Sequence, residues 1–359
     1  MRKVIKFFCL FLAVWCFTGA TVGCKDNVDD DGGNGGGSGF NPYPYDDLSV
    51  YMDLPDYKNI TLSEKLVTQM VKSEIAYFCH GKGLDTELTD SGAADFDLLS
   101  ISFEGFIGGE KVEELCESGY NIVLGSGVFY VDGFEDALIG MKKGEEKTVS
   151  LKFADDYPGT EYAGKDVTYK VTVGNVWRAP ELTDELIKSN TVFETASEYT
   201  AWVRKSCIFS YVWDDLLTKC VIKGYPQEYT DYYQRFKQHF EGLAKDKGLT
   251  FAEFISQHGG EYADYGLFSG MTVIDFEEVA TNYSKSNLVN DLLTYSIIRA
   301  EGIETSGAEY EAALKQLEKE TGRTYAQLVE ASGENDVIIS VLNIRLCDVI
   351  NGYVKIENN

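Results

Sequence analysis

Histidine and positive charge are what this sequence has least of. Three of 359 residues are His, and 32 Lys and Arg stand against 58 Asp and Glu, for a formal charge of −26. Such a surface repels phosphate backbones and anionic headgroups, so no nucleic-acid partner is expected. His80, His239 and His258 show no metal-ligand spacing, no Ser, His and Asp constellation points to hydrolysis, and neither a metal nor a cofactor is expected. Close CxxC spacing is absent too. Cys79, Cys116, Cys207, Cys220 and Cys347 are odd in number, encode no disulfide framework and read as buried free thiols. No transmembrane helix is expected, because the apolar run Phe7 to Phe17 is shorter than the ~20 residues a span needs.

That run has another use. Arg2, Lys3 and Lys6 precede it, and Thr21-Val22-Gly23-Cys24 closes it, the pattern of a secretory signal over residues 1–23 with Cys24 as the lipidation site. Thr21 stands where such a lipobox usually has Leu. Residues 24–45 include KDNVDDDGGNGGGSG, which is unable to bury a core and reads as a flexible tether. Asn27, Asp29 and Asp31 before Gly32 imitate the start of a calcium loop, but its twelfth position is Ser38 rather than Glu. The expected location is the cell membrane, lipid-anchored, on its extracytoplasmic face.

Periodicity divides the remainder. Residues 46–94 read as an N-terminal helical segment packing with the C-terminal domain, its helix opened by Thr61-Leu62-Ser63-Glu64 and running to about Phe78. Between residues 95 and 178 the pattern turns to strands. Leu98 to Phe106, Thr148 to Phe153 and Val167 to Val176 alternate apolar with polar residues, and Asn121 to Leu124 is a fourth β-prone run. Gly133 and Gly140 bracket a short helix carrying Phe134, Ala137 and Leu138. Residues 179–359 read as helical, with openings at Thr195/Glu198, Thr250/Glu253, Ser306/Glu309 and Thr324/Gln327. Tyr229, Tyr232, Tyr233, Phe236 and Phe240 share one face of a helix over residues 227–247, either packed on neighbouring helices or lining a cradle for unfolded chains.

Several of these pieces resemble one family, the FKBP-type peptidyl-prolyl isomerase domain in the version found in trigger factor. They are ISFEGFIGGE (101–110), VLGSG (123–127), DGFEDALIGMKKGEEKTV (132–149), FADDY (153–157), AGKDVTYKVTV (163–173) and PELTDELIK (180–188). The segment from Leu292 to Glu330 resembles the helical substrate-cradle domain of trigger factor. The resemblance implies an α+β protein, an FKBP-like curled antiparallel sheet around a short helix joined to a mostly α-helical chaperone domain. Nothing between Phe40 and Thr61 resembles the ribosome-binding head, so no ribosome contact is expected.

The resemblance also implies a proline-binding pocket, with Phe134, Tyr157, Val131 and Tyr169 as its catalytic positions and Phe103, Val112 and Tyr130 contacting substrate. Rotation about an amide is opposed by ~18–20 kcal/mol of resonance. A dry apolar pocket lowers that barrier by disfavouring the polar planar form, with no nucleophile required. Two departures bear on turnover. Val112 stands where the family has Phe, and the segment from Gly125 to Gly133 is one residue longer than usual, with Asp132 in place of proline. The implied function is a membrane-tethered folding factor, isomerase and chaperone, acting on unfolded or proline-containing polypeptides. The alternatives are a non-catalytic holdase and a surface binding protein with a degenerate FKBP-type domain.

Overall fold

The computed structural model describes residues 47–157 and 161–358. The signal, Cys24 and the tether lie outside them. The chain forms two compact units, one of Thr61–Ile208 with Lys355–Asn359, the other of Phe209–Val354 with the described residues before Thr61.

In the first unit, helix α1 (Glu64–Gly81) is capped by Ser63, whose hydroxyl accepts from the Leu66 amide. The cap therefore falls two residues later than the Thr61 pattern places it, since Thr61 lies in the short strand Ile60–Ser63. That strand pairs with Val354–Glu357. Five antiparallel strands follow: β1 (Thr86–Glu87), β2 (Leu98–Ile107), β3 (Glu110–Val123), β4 (Glu146–Lys152) and β5 (Asp166–Arg178). Their order is β1-β5-β2-β3, with β4 also paired to β5. The short helix α2 (Phe134–Leu138) begins at Gly133, whose φ of +83° suits a residue without Cβ.

Alternation along β2 and β5 places Leu99, Ile101, Phe103, Val167, Tyr169, Val171 and Val173 in one buried cluster with Phe134 and Leu138 of α2. Irregular register between β2 and β3 near Phe103 bends the sheet around that cluster. Gly105 permits the closest approach: a Cβ there would stand 2.5 Å from the Leu115 Cβ and 3.1 Å from the Tyr169 ring. Helix α1 packs on the sheet through Ala76 against Leu98 and Val123. Residues before Thr61 belong to the second unit, so the segment 46–94 is shared between the two. Helices α3 (Asp184–Asn190) and α4 (Ala196–Lys219) follow the sheet.

The second unit is built from α5 (Glu228–Asp246), α6 (Phe251–His258), α7 (Val273–Ala300), α8 (Ala308–Thr321), α9 (Tyr325–Ser332) and α10 (Glu334–Tyr353). Capping boxes form at Thr250/Glu253 and Thr324/Gln327 as read from sequence, and at Thr272/Asp275, where Asp takes the position usually held by Glu. Thr195 accepts from the Glu198 amide, but the Glu198 carboxylate answers to the Glu194 amide. Ser306 does not cap α8; Gly307 holds that position with no side-chain bond. Glu301 gathers the hydroxyls of Tyr57 and Tyr353 and the ammonium of Lys58 within 2.6–2.8 Å. The aromatic face of α5 is spent on packing. Phe236 and Phe240 are buried with Phe254 and Phe276, while Tyr232 and Tyr233 donate to Asp291 and Glu277. The α+β class is thus realised, a curled sheet over a short helix together with a helical unit.

An ion pair between the buried Asp97 and the half-exposed Arg178 closes the end of β5. Asp97, 3% exposed, accepts from Arg178 Nε at 2.8 Å, from Arg178 Nη2 at 2.6 Å and from the Ala94 amide at 2.8 Å. Removing the guanidinium strands a desolvated carboxylate. Arg178→Ala is therefore expected to lower unfolding free energy by about 1–2 kcal/mol, less than for a fully buried pair because the guanidinium is half exposed and the Ala94 amide stays bound. Lys143→Ala, which breaks the exposed pair with Glu87, should cost under about 1 kcal/mol. Urea denaturation followed by near-ultraviolet circular dichroism measures both.

Candidate functional site

The site grows from the alternation of β5. Tyr169 pairs with Gly105 on one side and Val149 on the other, so its ring rises from the middle of the sheet toward α2. It stands edge-on to Phe103 at 5.8 Å and to Phe134 at 5.3 Å, the T-shaped geometry aromatic pairs prefer. Phe134 is the first residue of α2 and is fully buried. Val131 lies beneath the preceding turn, its carbonyl accepting from the Phe134 amide at 3.3 Å.

All seven pocket residues read from the sequence share one hydrophobic cluster. Phe103, Val131, Phe134 and Tyr169 are buried, whereas Val112, Tyr130 and Tyr157 are partly exposed at its edge. Tyr157 leans on Phe153 at 4.8 Å and faces Tyr130 at 6.5 Å. The Tyr169 hydroxyl donates to that of Tyr130 at 3.1 Å.

Sequence reading passed over Phe129. Its ring is 6% exposed and lies flat on Phe134, with centroids 3.5 Å apart and planes within 11°. Phe103 and Tyr169 stand edge-on to it at 5.5 and 5.7 Å. The expected hollow over Phe134 is thus filled by the chain's own side chain. The longer loop that the resemblance implies was the available signal for it. Glu135 was also missed. It is buried and accepts from the amides of Phe129 at 2.9 Å and Gly127 at 3.0 Å, and from the Ser126 hydroxyl at 3.3 Å. An open trough of about 800 Å³ on the solvent face of the sheet is a separate feature, where Glu104 and Glu117 alternate with Lys111, Lys147 and Lys170.

Residues 90–174, which contain every aromatic residue of the cluster, match the family model of the FKBP-type peptidyl-prolyl cis-trans isomerase. The match takes in most of the sheet and its short helix, not the whole first unit, and makes those residues FKBP-like. Beyond it, the chain is similar to the trigger factor of Caldicellulosiruptor saccharolyticus, with 30% identity over 67% of this chain and 55% of the relative. It is also similar to that of Acetivibrio thermocellus, with 24% identity over 80% of this chain and 68% of the relative. The chain thus spans little more than half the length of the first relative. A solved structure of the trigger factor chaperone aligns over 83% of this chain and 72% of its own at 18% identity, with a TM-score of 0.28, too low to bear on the fold. The protein is trigger factor-like, with an FKBP-type domain.

Burial pushes the Tyr130 phenol from 10.0 up to about 12, partly offset by the hydrogen bond from Tyr169. Burial first, then the bond to Tyr130, pushes the Tyr169 phenol up as well. A folded value above the unfolded one means that the unfolded chain releases its proton first. The contribution is whole below pH 10 and is lost as pH rises through about 12. The urea midpoint of the full chain is therefore expected to fall across that window, and to fall less steeply in Tyr130→Phe.

Proposed function

We propose that the protein is an extracytoplasmic folding factor, a peptidyl-prolyl cis-trans isomerase and chaperone for unfolded polypeptides, tethered to the membrane through a lipid on Cys24. The observation that carries the catalytic part is the gathering of Phe103, Tyr130, Phe134, Tyr157 and Tyr169 in one hydrophobic cluster inside the curled sheet, with Tyr130 and Tyr157 partly exposed at its edge. A prolyl ring seated on Phe134 leaves its preceding amide among side chains that offer the planar, charge-separated form little solvation. The twisted form loses less on entry, and that difference is the catalysis. The Tyr130 hydroxyl, partly exposed at the edge, is placed to donate to a client carbonyl.

The chaperone part draws on the likeness to trigger factor and on apolar surface in the helical unit. Phe268 is 50% and Ile274 81% exposed, and Val273, the first residue of α7, is exposed beside Ile274. Clients of such a surface are unfolded chains with apolar segments. The anchoring part rests on the N-terminal sequence: a basic start, an apolar run, a cysteine and a Gly-rich, acidic tether.

A second reading, a holdase without turnover, is favoured by Phe129, which fills the seat, and by the small side chain of Val112. The two readings differ in one measurement. Exchange NMR of a proline tetrapeptide with the full chain is expected to show modest catalysis. Tyr157→Ala should reduce kcat/KM about fivefold, and Phe134→Leu, which keeps volume but loses the flat floor, about tenfold. Absence of catalysis with intact suppression of client aggregation would leave the holdase reading.

Anchoring is tested separately. Cys24→Ser is expected to abolish incorporation of labelled fatty acid and to shift the protein from the membrane to the soluble fraction of its host.

A further inference from the structure

We infer that Phe129 is a built-in occupant of the prolyl seat, an autoinhibitory ring that the loop from Gly125 to Gly133 carries out before a client proline enters. The inference rests on the isomerase reading above and concerns how that site is regulated.

The seat is the face of Phe134, walled by Phe103 and Tyr169, and Phe129 covers it. The manner of covering matters. Aromatic rings prefer offset or edge-on contacts with centroids about 4.5–7 Å apart, because stacked faces bring like quadrupoles together. At 3.5 Å and 11° the Phe129 and Phe134 rings are face to face, so burial rather than ring electrostatics holds Phe129 in place. A prolyl ring presents C–H groups, not a π face, to the same surface. Its exchange for Phe129 restores apolar burial and removes the face-to-face contact.

The loop is made to move. Gly125, Gly127 and Gly133 flank Phe129 with φ of +77°, +72° and +83°, left-handed positions in which glycine turns without steric penalty. It has the one extra residue noted from the sequence, hence slack. It is also latched at identifiable points. The Glu135 carboxylate holds the Phe129 and Gly127 amides and the Ser126 hydroxyl. Gln69 of α1 donates to the Gly125 carbonyl at 3.0 Å, fixing the first pivot. Withdrawal of Phe129 breaks its bond to Glu135, while the bonds at Gly125 and within α2 stay.

A seat open only a fraction of the time weakens apparent affinity by that fraction. Emptying it permanently should restore the lost factor. In the full chain, Phe129→Ala is expected to tighten binding of a proline tetrapeptide and raise kcat/KM by about tenfold, and Glu135→Gln, which loosens the latch, by about threefold. Near-ultraviolet circular dichroism checks that the variants fold. The unaltered chain gives an independent readout: saturating tetrapeptide should increase hydrogen exchange at the Phe129 amide and shift the Phe129 ring resonances. If the wild type turns over proline but Phe129→Ala is equal or slower, or if tetrapeptide binds with the Phe129 amide still protected, Phe129 is a fixed wall. The inference then falls and the isomerase reading stands. If neither the wild type nor a folded Phe129→Ala binds tetrapeptide, the isomerase reading falls and this inference with it.

Discussion

The ring of Tyr169 is the constraint on which the first unit depends. It rises from the central part of β5, fully buried, and meets Phe103, Phe129 and Phe134 edge-on at 5.3–5.8 Å. Room for it exists because β2 has a glycine, Gly105, directly opposite. A Cβ there would collide with Leu115 and press on the Tyr169 ring. The sheet bends where its register with β3 shifts, and α2 closes the concavity with Phe134. Fold and candidate site are thus one set of contacts: the side chains packed where the sheet curls are the ones proposed to meet a prolyl ring.

A site of this kind has an inherent difficulty. Rotation about a prolyl amide is eased by dryness, and a dry apolar hollow in water is a poor state for a protein to rest in. Filling the hollow with Phe129 removes that cost in the resting chain. The buried Glu135 carboxylate, satisfied by two backbone amides and a hydroxyl, makes the filled arrangement a defined one. Under the proposed isomerase reading, catalysis is a competition between an internal ring and an incoming one. The second unit shows the opposite economy. Its aromatic residues on α5 pack on Phe254, Phe276 and Tyr283 and bond acidic partners on α7, while Phe268, Val273 and Ile274 are among its exposed apolar side chains.

The sheet was legible because strand alternation is a local property. Val149 and Leu151, or Val167, Tyr169, Val171 and Val173, announce a half-buried strand wherever they occur, and each became one within two or three residues of its expected ends. Caps were legible where the reciprocal bond had a Glu or Gln to make it, as at Thr250 and Thr324. They were misplaced where a backbone alternative won: the strand pairing around Thr61 moved the cap to Ser63, and Gly307 displaced Ser306. Thr272 escaped notice because Asp275 is shorter than the residue usually sought there.

By itself the sequence determined the class of the protein, the strand faces and seven members of the hydrophobic cluster, because periodicity and residue type are carried by each segment alone. Tertiary structure decided which ring lies on Phe134. Phe129, Tyr130 and Val131 are adjacent and all apolar, and no local rule ranks them. The choice follows from where Glu135 holds the loop amides and from how much space Phe103 and Tyr169 leave between them. The first is local, since Glu135 lies six residues from Phe129, but the second depends on Phe103 and Tyr169, distant in the chain, being brought within a few ångströms of the loop.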